Sequence, residues 1–169
     1  MVTRKPSSML VGAVALMGVS LAWVLLGPLA TTADSDNSGG GVRGAGTTMV
    51  EGGTGSPAFA PILTNVAFHW QKASGAFECL ALAASVPADK PGSGNFDTNV
   101  MYVTGSITSA RIRGNQAVLR GTATVTGVGA GSGMPFTATL TRGGPGATLV
   151  LEISGLTFRE ILLEGEFRF

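Results

Sequence analysis

The sequence predicts an all-β domain, built either as a single antiparallel β-sandwich or as a small β-barrel of about seven strands. Three observations support this class. Apolar and polar residues alternate with a period of two, and the alternating runs are separated by turns rich in glycine and proline. After the N-terminal region, no segment has the 3.6-residue period of an amphipathic helix. The 26 glycines and the low charged fraction of 12% are typical of a turn-rich extracellular protein.

Three segments are expected along the chain. Residues 1–33 are predicted to be a signal peptide or an N-terminal membrane anchor. Residues 34–61, rich in Gly, Ser and Thr, are predicted to be a flexible, disordered linker, because they contain too little apolar surface to offset the cost of ordering the backbone. Residues 62–169 are expected to form the antiparallel β domain.

The N-terminal segment has the layout of a secretory signal. Two basic residues precede an apolar run over residues 9–30, which is predicted to be a hydrophobic helix. The helix-breaking Gly27-Pro28 pair and the small residues up to Ala33 favour cleavage after Ala33, whereas the length of the run suits a retained anchor. Both interpretations predict a secreted, periplasmic or cell-surface protein. Contact with a membrane is expected only through this segment, if it is not cleaved.

Inside the β domain, the alternation predicts which side chains form the core. Residues of the same parity within each run should share one face of the sheet. The side chains expected to be mostly buried are Phe68, Trp70, Phe77, Leu119, Phe136, Leu140, Leu151, Ile153 and Phe167.

The clearest local element is a β-hairpin centred on Gly114-Asn115. A glycine at the first central position suits a two-residue type II′ turn, which determines the register of the two strands. The predicted pairs are Arg113 with Gln116, Ile112 with Ala117, Arg111 with Val118, and Ala110 with Leu119. Upstream of this hairpin the apolar parity changes, so a β-bulge is expected between Gly105 and Ser109.

Several short motifs accompany these strands. They are Gly75-Ala76-Phe77-Glu78-Cys79-Leu80, Val103-Thr104-Gly105-Ser106-Ile107, Arg113-Gly114-Asn115-Gln116-Ala117-Val118, Gly121-Thr122-Ala123-Thr124-Val125, Phe136-Thr137-Ala138-Thr139 and Gly143-Gly144-Pro145-Gly146. Through these motifs, residues 64–169 resemble a loose group of secreted bacterial β-domain proteins of unknown function. The group shares a Cys-Leu pair, a Gly-Asn-x-Ala hairpin and an Asp-Asn-Gly-x-Pro-Gly type turn. This chain departs from the group at that turn, where Thr141-Arg142 replaces the acidic and amide residues.

The sequence offers few residues for catalysis or metal binding. His69 is expected to face outward and Cys79 to face the core, so the two should not form a catalytic pair. Zinc needs three or four nitrogen or sulfur ligands, and only these two are available. Glu152, Glu164 and Glu166 are expected on solvated strand faces, although paired last strands would bring them closer. No catalytic residue, metal site or cofactor is predicted.

The exposed face of the hairpin carries the one candidate binding site. Arg111, Arg113 and Arg120 should lie together there and are predicted to hold an anionic ligand. The alternative is that these charges only protect the sheet from aggregation. A net charge of +1 argues against nucleic acid as a partner.

The favoured function is that of an exported, non-catalytic interaction or structural module of the bacterial cell envelope or the extracellular space. Its expected partner is an anionic envelope polymer or another envelope protein. An outer-membrane β-barrel is the alternative, because the chain ends in the aromatic sequence Phe167-Arg168-Phe169. A secreted hydrolase is the third hypothesis.

Overall fold

The computed structural model describes residues 41–51, 61–86, 90–91 and 94–169. These residues form eight antiparallel strands in a closed barrel, in which each strand pairs with its neighbours in sequence and the first pairs with the last. The strands are β1 (Val42–Val50), β2 (Ile62–Gln71), β3 (Ser74–Ala84), β4 (Phe96–Arg113), β5 (Gln116–Gly127), β6 (Gly131–Thr141), β7 (Thr148–Ile153) and β8 (Leu156–Arg168). The predicted signal peptide or anchor lies outside the described residues. Within them, no helix is long and apolar enough to cross a bilayer.

The barrel corrects two predictions. The all-β class and the small-barrel alternative are confirmed, whereas the sandwich alternative is wrong and the barrel has eight strands rather than about seven. The additional strand is β1, which lies inside the predicted linker and pairs with β2 on one side and with β8 on the other. Closure leaves neither β2 nor β8 with an unpaired edge, and these two ladders of backbone hydrogen bonds order a segment that has few apolar side chains.

The glycines of β1 explain why this strand looked like a linker. Gly44 and Gly46 occupy inward positions between two neighbouring strands. A Cβ on Gly44 would lie 2.5 Å from Cζ of Phe68, and a Cβ on Gly46 would lie 2.1 Å from the backbone oxygen of Glu164. Glycine is therefore required by close packing at these positions and does not signal flexibility.

The β4–β5 hairpin has the predicted register. Arg113 pairs with Gln116 and the three further predicted pairs are present, while Gly114 has a φ of +56°. The predicted bulge is also confirmed, because pairing passes from Ile107 directly to Ser109. The extra residue is Thr108, whose hydroxyl donates to the Arg120 carbonyl oxygen at 3.2 Å. The bulge brings the apolar side chains of both halves of β4 to the inside.

Apolar side chains line the inside of the barrel and form its core. All the predicted core residues are buried except Trp70, which is only partly buried. Trp70 is the last inward residue of β2 and lies beside the β2–β3 turn, so the barrel wall covers only part of its indole. Four phenylalanines pack against one another, with ring centroids 5.3 Å apart for Phe68 and Phe167 and 5.1 Å apart for Phe77 and Phe136.

The two ends of the barrel differ. The connections β2–β3, β4–β5 and β6–β7 lie at one end, which we call the aromatic end because the phenylalanine cluster packs toward it. The connections β1–β2, β3–β4, β5–β6 and β7–β8 lie at the opposite end, which we call the open end.

Candidate ligand cavity

A cavity of about 430 Å³ lies at the open end of the barrel. Most of its wall is apolar and is contributed by β1, β2, β3, β4, β7, β8 and the β5–β6 connection. The apolar lining residues are Val50, Ile62, Ala81, Val100, Met101, Val128, Leu151 and Phe158. Three lining residues carry a polar or titratable group: Thr64, Cys79 and Glu160. Concave, mainly apolar sites with a few placed polar groups are typical of small-molecule binding.

Glu160 is an acidic residue inside this apolar barrel. It lies on β8 in the same parity as Phe158 and Leu162, and only 2% of it is exposed. The hydroxyls of Thr48 on β1 and Thr64 on β2 both donate to its Oε2 atom, the latter at 2.5 Å. A buried polar group is tolerated when it has such partners, so the two threonines position this carboxyl group in the wall of the cavity.

Burial raises the pKa of Glu160 above its ordinary value, because a charged carboxylate is poorly solvated inside the barrel. The hydrogen bonds from Thr48 and Thr64 oppose this effect but do not reverse it. Burial likewise raises the pKa of the Cys79 thiol, and the charge of Glu160 adds to that shift. The barrel thus favours a neutral carboxylic acid beside a neutral thiol, and such a thiol is a poor nucleophile.

The second oxygen of Glu160 is open to the cavity. No group of the described residues donates a hydrogen bond to Oε1. In the described residues, every fully buried side-chain nitrogen or oxygen except Trp70 Nε1 has a hydrogen-bond partner. Because Oε1 has no such partner, it is not fully buried. Since Glu160 lines the cavity, Oε1 is the atom that a bound molecule can reach.

Glu160 was not among the site residues predicted from the sequence. The missed signal is the alternation Phe158-x-Glu160-x-Leu162, in which the acid shares its parity with two apolar residues. Counting backward from Phe167 places Glu160 outside the barrel. However, the pairing of β1 with β8 shifts register between Thr47 and Thr48, and this irregularity reverses the parity of the first half of β8.

The three arginines predicted to form a binding site lie together, and none of them lines this cavity. Arg111, Arg113 and Arg120 are exposed and line one depression of about 330 Å³ on the outside of the β4–β5 hairpin. The register of the hairpin places them there, since Arg113 adjoins the turn and Arg120 adjoins the bulge. We call this surface the arginine patch.

The remaining candidate residues do not assemble into a site. His69 is exposed and Cys79 is buried, as predicted. Glu152 on β7 pairs with Thr157 near the start of β8, whereas Glu164 lies near the end of β8 and pairs with Thr47 on β1, so the register of the last two strands keeps these two carboxylates apart.

Glu166 has a local partner instead. It accepts a hydrogen bond from the guanidinium of Arg168, which holds the pKa of its carboxyl below the usual value. In the ranges that the structure describes, no three His, Cys, Asp or Glu side chains are grouped closely enough to hold a metal ion.

No protein family, curated protein or solved structure matches this chain. The resemblance to secreted bacterial β-domain proteins therefore stays a prediction.

Proposed function

We propose that this chain is an exported, non-catalytic binding module that holds a small apolar molecule in the open end of its barrel. The observation that carries the proposal is an apolar cavity of about 430 Å³ with the acid Glu160 set into its wall. An acid at this depth is costly for folding, because its desolvation must be offset by other contacts. Retaining it there is reasonable if the carboxyl group has a role in binding.

The distribution of side chains favours this module over an outer-membrane barrel. Apolar side chains fill the inside, and the outward positions of β4 and β5 carry arginines and threonines. A membrane-spanning β-barrel needs the opposite arrangement, with an apolar band facing lipid. The leader predicted over residues 1–33 supports export.

The chemistry of the cavity favours binding over hydrolysis. Glycoside cleavage uses two carboxyl groups, and nucleophilic hydrolysis uses a nucleophile beside a base. Of the described residues that line the cavity, Glu160 is the only carboxyl group and Cys79 the only thiol, and the Thr64 hydroxyl donates to Glu160. The raised pKa of Cys79 keeps its thiol neutral, so this pair is poorly suited to either reaction.

Filling the cavity should abolish binding. Ala81 is buried and lines the cavity, so Ala81→Phe would place a ring in the volume that the ligand needs. We expect the neutral dye N-phenyl-1-naphthylamine to gain fluorescence with the wild-type chain and to lose at least about tenfold in affinity with Ala81→Phe, since the buried contact area disappears.

The matched control is Ala67→Phe, which adds the same ring to an exposed position on β2. This variant should bind the dye as the wild type does. Equal dye affinity in Ala81→Phe and Ala67→Phe would place binding elsewhere and would contradict the proposed function.

A second candidate function belongs to the arginine patch. Three guanidinium groups around one depression suit an anionic polymer of the cell envelope, because Arg presents several donors to each anionic group. This function does not depend on the cavity, since the patch lies on the outer face of a different pair of strands.

A further inference from the structure

The polar groups around Glu160 indicate what kind of molecule the cavity accepts, provided that the proposed function holds. We propose that the ligand is an apolar molecule bearing one neutral oxygen, a carbonyl or a hydroxyl, which accepts a hydrogen bond from the Oε1–H group of Glu160.

The two threonines determine which oxygen carries the proton. Thr48 and Thr64 each have one hydroxyl hydrogen. The two hydroxyls also contact each other, and Thr48 Oγ1 lies 3.5 Å from the Thr64 carbonyl oxygen. Both hydroxyls can donate to Oε2, and we assign both hydrogens to it because its two lone pairs can receive them. Oε2 thus already accepts two hydrogen bonds, whereas Oε1 accepts none from the described residues. With both hydrogens on Oε2, the proton of the neutral acid lies on Oε1, where it is a donor without a partner among the described residues.

The environment of Glu160 favours the neutral form of the acid. It faces Thr48 on β1, Thr64 on β2 and Cys79 on β3, and its pairing partner on β7 is the buried Leu149. Cys79 is the only other titratable group among the described residues of the cavity wall, and no Lys, Arg or His of these residues lines it. Burial also raises the pKa of the carboxyl group.

The same wall disfavours charged ligands. A ligand carboxylate would meet no cation among the described lining residues and would repel any ionised Glu160. A ligand ammonium would require an ionised Glu160, and burying both charges would cost more than their attraction returns unless further hydrogen bonds were made. A neutral acceptor avoids both costs and satisfies the Oε1–H donor.

Three probes of equal chain length test this inference. Octan-2-one, octylammonium and octanoate are each used to displace N-phenyl-1-naphthylamine from the full wild-type chain and from Glu160→Leu and Glu160→Gln. We expect octan-2-one to be the tightest of the three in the wild type. Glu160→Leu should weaken it by about tenfold, because one hydrogen bond to the ligand is lost. Glu160→Gln should keep most of the affinity, since its amide can accept from both threonines and donate to the ketone.

The dependence on pH gives a second readout. Octan-2-one affinity should be constant at low pH and fall as Glu160 ionises, at a pH above the ordinary carboxyl range. In Glu160→Gln it should not change with pH. Cys79→Ala removes a lining side chain and can change the affinity itself, but the affinity should still fall at the same pH as in the wild type, which assigns the titration to Glu160.

Three outcomes would overturn the inference. Tightest binding of octylammonium, lost in Glu160→Gln, would assign an ionised Glu160 and a cationic ligand. Equal affinity of octan-2-one for the wild type and Glu160→Leu would show that the acid does not recognise the ligand, while dye binding would leave the proposed function intact. Absence of dye binding to the wild type would overturn both.

Discussion

At the scale of single residues, Glu160 is unusual because its surroundings oppose its charge. Two threonine hydroxyls satisfy Oε2, yet burial raises the pKa of the carboxyl group. The folded protein therefore binds the Glu160 proton more tightly than the unfolded chain does. Wherever the unfolded chain has lost this proton and the folded protein keeps it, stability must fall as the pH rises.

This linkage predicts how Glu160→Gln changes the pH dependence of stability. Below the ordinary carboxyl pKa of 4.5, Glu160 is protonated in both the folded and the unfolded wild type, so its ionisation does not lower the free energy of unfolding there. Above that value, up to the raised pKa of the folded state, the wild type should lose up to about 1.4 kcal/mol per pH unit relative to Glu160→Gln. Urea unfolding of both proteins from about pH 4 to about pH 8 measures the difference. A difference that is independent of pH would contradict the burial of an ionisable group at this position.

At the scale of elements, β1 shows that glycine in a strand can reflect packing. The strand has few apolar residues, but Val42 and Thr48 are fully buried and it pairs with both neighbours. Its role in the barrel depends on the close approach of β2 and β8 at Gly44 and Gly46. A flexible linker would tolerate side chains at these positions.

Gly46→Ala tests whether residue 46 belongs to a closely packed strand or to a flexible linker. A Cβ at Gly46 would lie 2.1 Å from a backbone oxygen of β8, which cannot move without disturbing the ladder. We expect the free energy of unfolding to fall by roughly 1–3 kcal/mol or more, as for other overpacked positions. The control is Gly94→Ala, since a Cβ there would meet nothing within 4 Å. Equal denaturation midpoints for the two variants would argue that residue 46 belongs to a linker after all.

At the scale of the whole molecule, the barrel separates two surfaces with different chemistry. The open end contains an apolar cavity with one acid, and the outside of the β4–β5 hairpin carries the arginine patch. Because the cavity lies inside the barrel and the patch faces solvent, each can be altered without disturbing the other.

The arginine patch should bind an anionic polymer only while its charges are present. Replacing Arg111, Arg113 and Arg120 by Gln should abolish retention on a heparin column at low salt and leave the fold intact. Retention of the wild type should weaken steeply as salt is added, because screening shortens the range of exposed charges.

The control for net charge replaces three other exposed arginines, Arg43, Arg142 and Arg159, by Gln. This variant has the same formal charge as the patch variant but keeps the patch, so it should still be retained. If both triple variants are retained alike, the patch has no specific role in binding and its charges serve solubility.

Export is tested by the mass of the mature chain. If the peptidase cuts after Ala33, protein recovered outside the cytoplasm should begin at Asp34, and its intact mass should lack the first 33 residues. A full-length chain in the membrane fraction would instead support the anchor, and a full-length chain in the cytoplasm would contradict export.

The sequence by itself determined the local features of the β domain, because these depend on residues that are close together along the chain. These features are the β4–β5 register, the bulge at Thr108 and nearly all of the predicted core. Each follows from a turn or from apolar alternation within a few residues, so a short stretch of sequence is enough to predict it. The arginine patch was predictable for the same reason, since one hairpin places all three of its residues.

Only the tertiary structure decided how the barrel closes and what lies inside its open end. Glu160 meets Thr48 and Thr64 across sequence separations of 112 and 96 residues, respectively. Their contact requires β1 to pair with both β2 and β8, and it requires the register shift between Thr47 and Thr48. Neither condition can be read from local alternation, because a one-residue shift reverses which side chains face inward, and closure depends on strands from opposite ends of the domain.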